Sequence, residues 1–308
     1  MYFSGRSMAI LAVSAGLSAA IFGACSDDSV VDDSPSPTAT AIPATPTPVP
    51  ALEGEYKTTA FAIAPSGVGF DLDGNSTVDN NLPVVFETLN TQLYAGIYDA
   101  IFTANGGNAT QAQVLTDQIW ASLESAGLVL DVEALNANLS TAINSEALIY
   151  LETLTGSPSN ATLDWYNGLK NGSGQYLTDN SVGSQTGAVN LATGKGTVGP
   201  GSFTYQVGGS LQLEVSNTLA TFDYSTTGST TSLGNGILGG AILITEIEAL
   251  LRDAIPNNEQ INEDELVATA LEAIAPLMDL TINGTQAFSV AFTFSAAGVD
   301  IGNFEVTP

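Results

Sequence analysis

The chain has 308 residues, is 44% apolar and only 12% charged, and sets 32 acids against five bases for a formal net charge of −27. So acidic a surface repels phosphate backbones and anionic headgroups alike, which argues against nucleic-acid binding and against docking on a membrane by charge. There is no histidine and a single cysteine, Cys25, which removes the Ser-His-Asp triad, Cys/His metal clusters and any internal disulfide.

Residues 1–7 carry one positive charge, Arg6, and residues 8–24 (MAILAVSAGLSAAIFGA) form an uncharged run of apolar and small residues ending at Cys25. This order is that of an export signal peptide, and the run is short of the ~20 residues a spanning helix needs. Ile21-Phe22-Gly23-Ala24-Cys25 resembles the bacterial lipobox, with small residues before the cysteine as that pattern requires and Phe22 in place of its usual leucine. The resemblance implies cleavage before Cys25, a diacylglycerol on its sulfur and an acylated new N-terminus. The alternatives are an uncleaved N-terminal anchor, or ordinary cleavage that leaves a free thiol. Ser26 resembles the sorting residue of lipoproteins sent to the outer membrane. The expected organisation is a signal peptide over 1–24, a linker over 25–53 and one extracytoplasmic domain over 54–308, on a protein exported to the periplasm, outer membrane or cell surface. Six of the thirteen prolines fall between Pro35 and Pro50, which favours an extended, semi-rigid stalk.

Helical periodicity follows. Val85, Leu89, Leu93, Ile97 and Ile101 predict a helix from Leu82 to Thr103, stopped at Asn105-Gly106-Gly107. A second begins at an Asn108–Gln111 capping box and ends at Gly127, and a third runs from Asp131 to Asn144. Strand signals then dominate. They are the apolar run Ala147–Leu154, alternation at Phe203, Tyr205 and Val207, a turn at Gly208-Gly209, and further alternation at Leu211, Leu213 and Val215. Ala220, Phe222 and Tyr224 form another alternating set, and Phe288, Val290, Phe292 and Phe294 the clearest one. Two helices interrupt them, one starting with a Thr245–Glu248 box and carrying Ile247, Leu250, Leu251 and Ile255, the other starting at Asn262. The expected fold class is α+β, with N-terminal amphipathic helices, then an antiparallel sheet, and a helical pair inserted near the C-terminus.

One motif suggests chemistry. Asp71, Asp73, Asn75, Thr77 and Asp79 occupy positions 1, 3, 5, 7 and 9 of a loop whose DxDxN start resembles those of EF-hand, dockerin and thrombospondin-type calcium loops. Calcium needs roughly six to eight oxygens at about 2.3–2.6 Å, which alternating Asp and Asn on a tight loop can supply, with the backbone carbonyl of Thr77 as the seventh-position ligand. Position 6 is Ser76 rather than glycine, and position 12 is Leu82 rather than a bidentate glutamate. The competing reading is an Asp/Gly/Asn turn that introduces the helix at Leu82. Together, DLDGNSTVDNNL, SEALIYLETL and LGNGILGGAI resemble uncharacterised envelope lipoproteins of delta-proteobacterial type. That family implies no catalytic residues.

Gly194-Lys195-Gly196-Thr197 lacks the spacing of a phosphate loop and reads as a turn. The favoured function is a non-enzymatic binding or structural role for a lipid-anchored protein, with one calcium ion and a protein or glycan partner. The alternative is a carbohydrate-active enzyme or carbohydrate-binding module, with Trp120, Trp165, Tyr166 and Tyr205 as stacking candidates. Of these, Trp120 suits a core face and Trp165-Tyr166 a surface. The feature that separates the two readings is a concave pocket where acids converge beside aromatics.

Overall fold

A computed structural model describes residues 51–125, 131–208, 211–227, 230–254 and 262–302. The chain divides into Met1–Thr47 and Pro48–Pro308, and the described residues belong to the second unit. The signal peptide, Cys25, the Pro-rich linker, Gly127, Gly209 and Ile255 lie outside them.

Among the described residues there are five α-helices and a nine-stranded antiparallel sheet. In chain order the elements are β1 (Leu52–Ile63), α1 (Leu82–Ala104), α2 (Ala109–Ser125), α3 (Val132–Asn144), β2 (Tyr150–Ser157), β3 (Asn160–Lys170), β4 (Tyr176–Asn190), β5 (Lys195–Gly208), β6 (Leu211–Thr227), β7 (Thr230–Leu243), α4 (Ile244–Ala254), α5 (Glu263–Ile274), β8 (Leu280–Ile282) and β9 (Thr285–Gly298). Strands β1 to β7 pair in sequence order, β7 pairs with β9, and β9 pairs back onto β1. The sheet therefore closes on itself as a barrel, and β8 is a short addition beside the start of β9. All five helices lie in the connections at one end, α1 to α3 between β1 and β2, and α4 and α5 between β7 and β9.

The barrel interior is a packed core. Phe61 sits among five rings, with centroids 5.1 Å away for Phe292, 5.4 Å for Tyr150, 5.6 Å for Phe203, 6.2 Å for Tyr205 and 6.4 Å for Trp165. All six side chains are buried. Eight strands enclose a space that side chains can fill, and rings fill it here because glycines on neighbouring strands make room. Gly196 is the register partner of Phe222 and Gly236 that of Phe294, and a Cβ on either glycine would lie 2.3–2.4 Å from the ring. Trp165 Nε1 donates to Gln185 Oε1 at 2.9 Å, while Gln185 Nε2 donates to Ser202 O and Thr218 Oγ1 at 2.8 Å. That buried amide is thereby satisfied, as a polar group in such a core must be.

The α+β class and the helices at Leu82, Asn108, Asp131 and Asn262 agree with the periodicity. Asp131 caps α3 by accepting from Ala134 N, and Asn262 caps α5 by accepting from Glu265 N. Three expectations need correction. A strand, β1, precedes the N-terminal helices. Its alternation breaks at a register shift between Thr58 and Ala60, so Tyr56 and Thr58 share the interior with Phe61 and Ile63 of the opposite parity. Strand β4 is invisible to hydrophobic patterning because buried Gly183 and Gln185 and half-buried Gly187 occupy alternate positions along it. Finally, β7 runs directly into α4 at Ile244, which places Thr245 inside the first turn rather than at a cap.

Outside the barrel, one ion cluster ties four segments together. Glu146, in the left-handed region at φ 58°, accepts from Lys57 at 2.6 Å, Lys170 at 2.7 Å and the Tyr176 hydroxyl at 2.6 Å. Lys170, then Lys57 and Tyr176, hold its carboxyl down from an ordinary 4.5 to about 2. A depressed carboxylate contributes stability that is present above about pH 4.5 and lost as pH falls through about 2. Glu146→Gln is expected to flatten that part of the stability–pH curve, as measured by urea unfolding at stepped pH. A wild-type slope retained in the variant would show that the cluster contributes nothing.

Candidate functional site

The Asp-rich loop is held at both ends. Asp79 N donates to Phe70 O at 2.8 Å, closing the loop, and the Phe70 ring lies over Gly239 of β7. Between its stretches paired with β8 and β1, the edge of β9 is filled by the residues that follow the loop. Ala291 N donates to Asn80 Oδ1 at 3.2 Å, and Asn81 N donates to Ser289 O at 3.1 Å. The Asn80 amide donates to Ala64 O, Pro65 O and Val68 O. This accounts for backbone groups that a gap in the sheet would otherwise strand.

Within the loop the carboxylates order the backbone. Asp71 accepts from Gly74 N at 2.8 Å and Ser76 N at 2.9 Å, and Asp79 Oδ2 accepts from Leu72 N at 2.7 Å. Asp73 accepts from Asn75 N at 3.0 Å. The chain reverses through left-handed conformations at Gly74 (φ 79°) and Ser76 (φ 69°). Ser76 holds the sixth position, where EF-hand loops use glycine for their sharp turn.

Asp71, Asp73 and Asp79 each bring one oxygen to within 4.8 Å of the others. Oxygens bound to one calcium at about 2.4 Å lie no farther apart than about twice that distance, so the three fit one coordination sphere. Asn75 is turned to the loop itself, its Oδ1 accepting from Thr77 N and its Nδ2 donating to Asp73 Oδ2. Thr77 is tied into the turn by that bond. Leu82, at position 12, is fully buried at the start of α1 and contributes packing.

Sequence reading missed Asp279. It arrives from the segment after α5 and accepts from Ser289 N at 2.8 Å and the Ser289 hydroxyl at 2.5 Å. With Asp71 and Asp73 it lines a cavity of about 680 Å³. No local signal marks it, because only the pairing of β8 with β9 places it beside a loop some two hundred residues earlier. Asp79 is 7% exposed. Burial, then the Asp73 and Asp279 carboxylates, push its pKa up against the hydrogen bond from Leu72 N. Converging carboxylates with no base among the residues lining the cavity favour a divalent cation there.

A second cavity, about 1100 Å³, opens beside the start of β1 and the end of β9 and is lined by Glu53, Glu55, Asp164, Asp300 and Tyr166. Glu55 accepts from Ile301 N at 2.7 Å. Of the other stacking candidates, Trp165 and Tyr205 are wholly buried in the barrel, which corrects the expectation that Trp165 faces solvent. Trp120 packs edge-on against Tyr94 at 5.3 Å. Gly194 is left-handed (φ 67°) in the β4–β5 turn, and Lys195 pairs with Asp223, so this segment is a turn.

Comparison of the chain with protein-family models, curated proteins and solved structures gives no match in any of the three.

Proposed function

We propose that the chain is an exported envelope lipoprotein, held to the membrane by acyl chains on Cys25, whose barrel unit has a non-enzymatic binding or structural role and carries one calcium ion in the Asp71–Asp79 loop. The observation that carries the calcium reading is the approach of three carboxylate oxygens to within 4.8 Å on a loop with a left-handed sixth residue. The ion would relieve repulsion among Asp71, Asp73, Asp79 and nearby Asp279, and would brace the segment that fills the edge of β9. Three carboxylates supply fewer oxygens than calcium takes, so water and loop oxygens complete the shell. Affinity is then expected in the weak, roughly 10⁻⁴–10⁻³ M range of extracellular modules. The aromatic interior also supports a domain that works outside lipid, since spanning barrels place polar groups inside and apolar ones outside.

At tenfold excess over such a dissociation constant, one bound ion stabilises the fold by about 1.4 kcal/mol. For a unit of this size that amounts to about 3–6 °C in Tm. Calcium is expected to raise Tm by this amount and EDTA to remove the rise, with no response in Asp71→Ala/Asp73→Ala. Equal shifts in the double variant would place the effect elsewhere on the acidic surface.

A second reading, a carbohydrate-active or carbohydrate-binding module, is favoured by the 1100 Å³ cavity, where four acids converge beside Tyr166. Binding of a soluble polysaccharide that Tyr166→Ala abolishes would carry it, and binding indifferent to that change would remove it.

A further inference from the structure

The barrel interior holds one carboxyl group among the described residues. Glu152 is fully buried on β2, between its register partners Tyr56 of β1 and Trp165 of β3. The Thr58 hydroxyl donates to Oε1, while Oε2 has no hydrogen-bond partner. Thr58 stands where β1 shifts register against β9, at the seam that closes the barrel. Strand β1 is thus both the strand that bonds Glu152 and one side of the seam.

We propose that Glu152 is a pH-sensitive latch on β1: with its carboxyl protonated the seam stays closed, and as the carboxyl ionises β1 loosens from β9 and β2. The groups facing Glu152 supply no positive charge to hold it as an anion. They are Tyr56 and Thr58 from β1 and Trp165 from β3, with Tyr150 two residues away on its own strand; the next titratable groups are Tyr224 of β6, near Tyr56, and Tyr205 of β5, near Tyr150. Each described base is paired elsewhere, Lys57 and Lys170 with Glu146, Lys195 with Asp223 and Arg252 with Glu248 and Asp264. Burial pushes the Glu152 pKa well above an ordinary 4.5, and Tyr56 is pushed up to about 12. A carboxyl whose closed-state pKa exceeds its open-state value favours opening as pH rises, by about tenfold per pH unit between the two values.

Amide hydrogen exchange at stepped pH, read as protection factors, tests the latch. In the wild type, β1 amides are expected to lose protection about tenfold per pH unit above about pH 4.5, to a plateau where Glu152 ionises in the closed barrel, while β5 and β6 amides hold theirs. In Glu152→Gln the β1 protection stays flat. Thr58→Val removes the hydrogen bond that favours the anion, and moves the plateau to higher pH. Any of three results would overturn the latch: an unchanged slope in Glu152→Gln, a plateau in Thr58→Val that does not move, or loss of protection in β5 and β6 in step with β1.

Discussion

Replacing Phe61 by alanine is expected to destabilise the barrel by about 3–5 kcal/mol, a large share of the roughly 5–15 kcal/mol that holds most domains together. Phe61 is 2% exposed and meets five rings contributed by β2, β3, β5 and β9. Its removal takes away the transfer energy of a ring and leaves a void. Collapse into that void is resisted because the neighbours are stiff aromatics on hydrogen-bonded strands. Thr186→Ser, at an exposed site on β4, is the control and should stay within about 0.5 kcal/mol. Urea unfolding of both variants reads the difference. A loss under 1 kcal/mol for Phe61→Ala would mean that the interior is not the packed core described above.

Cys25→Ser is expected to move the protein from the membrane fraction to the soluble fraction almost completely. Each buried methylene contributes ~0.8 kcal/mol to membrane attachment, and two or more acyl chains make it effectively permanent. Once the leader is removed, no feature of the described residues would replace the proposed acyl chains. The net charge of −27 opposes adsorption on anionic lipid, and among the described residues no helix is long and apolar enough to cross a membrane. The mass of the mature N-terminal peptide separates this account from the alternatives. An acylated Cys25 agrees with it. A chain beginning at Met1, or a free thiol at residue 25, would contradict it.

The helices were legible because their buried faces repeat at helical spacing and their ends carry chemistry that side chains enforce, such as Asp131 and Asn262. Closure of the sheet was not legible. It depends on β1, whose bulge inverts the alternation midway, and on β4, whose alternation is broken by Gly183, Gln185 and Gly187, with β5 lying so close over the two glycines that a Cβ would meet its backbone. The surface reading of Trp165 failed for a related reason. The polar residues around it face outward from the same strand, while its own side chain points to Gln185 inside the barrel. At the candidate site, Asp71, Asp73 and Asp79 were readable from local spacing. Asp279 and Glu152 were not, since their significance arises from strand pairing across long stretches of chain.

The proposed calcium site in the Asp71–Asp79 loop is tested most directly by a calcium titration followed through backbone amide resonances of the isotope-labelled protein. The amides of Leu72, Gly74 and Ser76, which donate to the proposed ligands, are expected to shift along one saturable curve, while those of β2 and β3, which do not border this cavity, stay still. Diffuse, unsaturated shifts spread over the acidic surface, or the same curve in Asp71→Ala/Asp73→Ala, would contradict a calcium site in this loop.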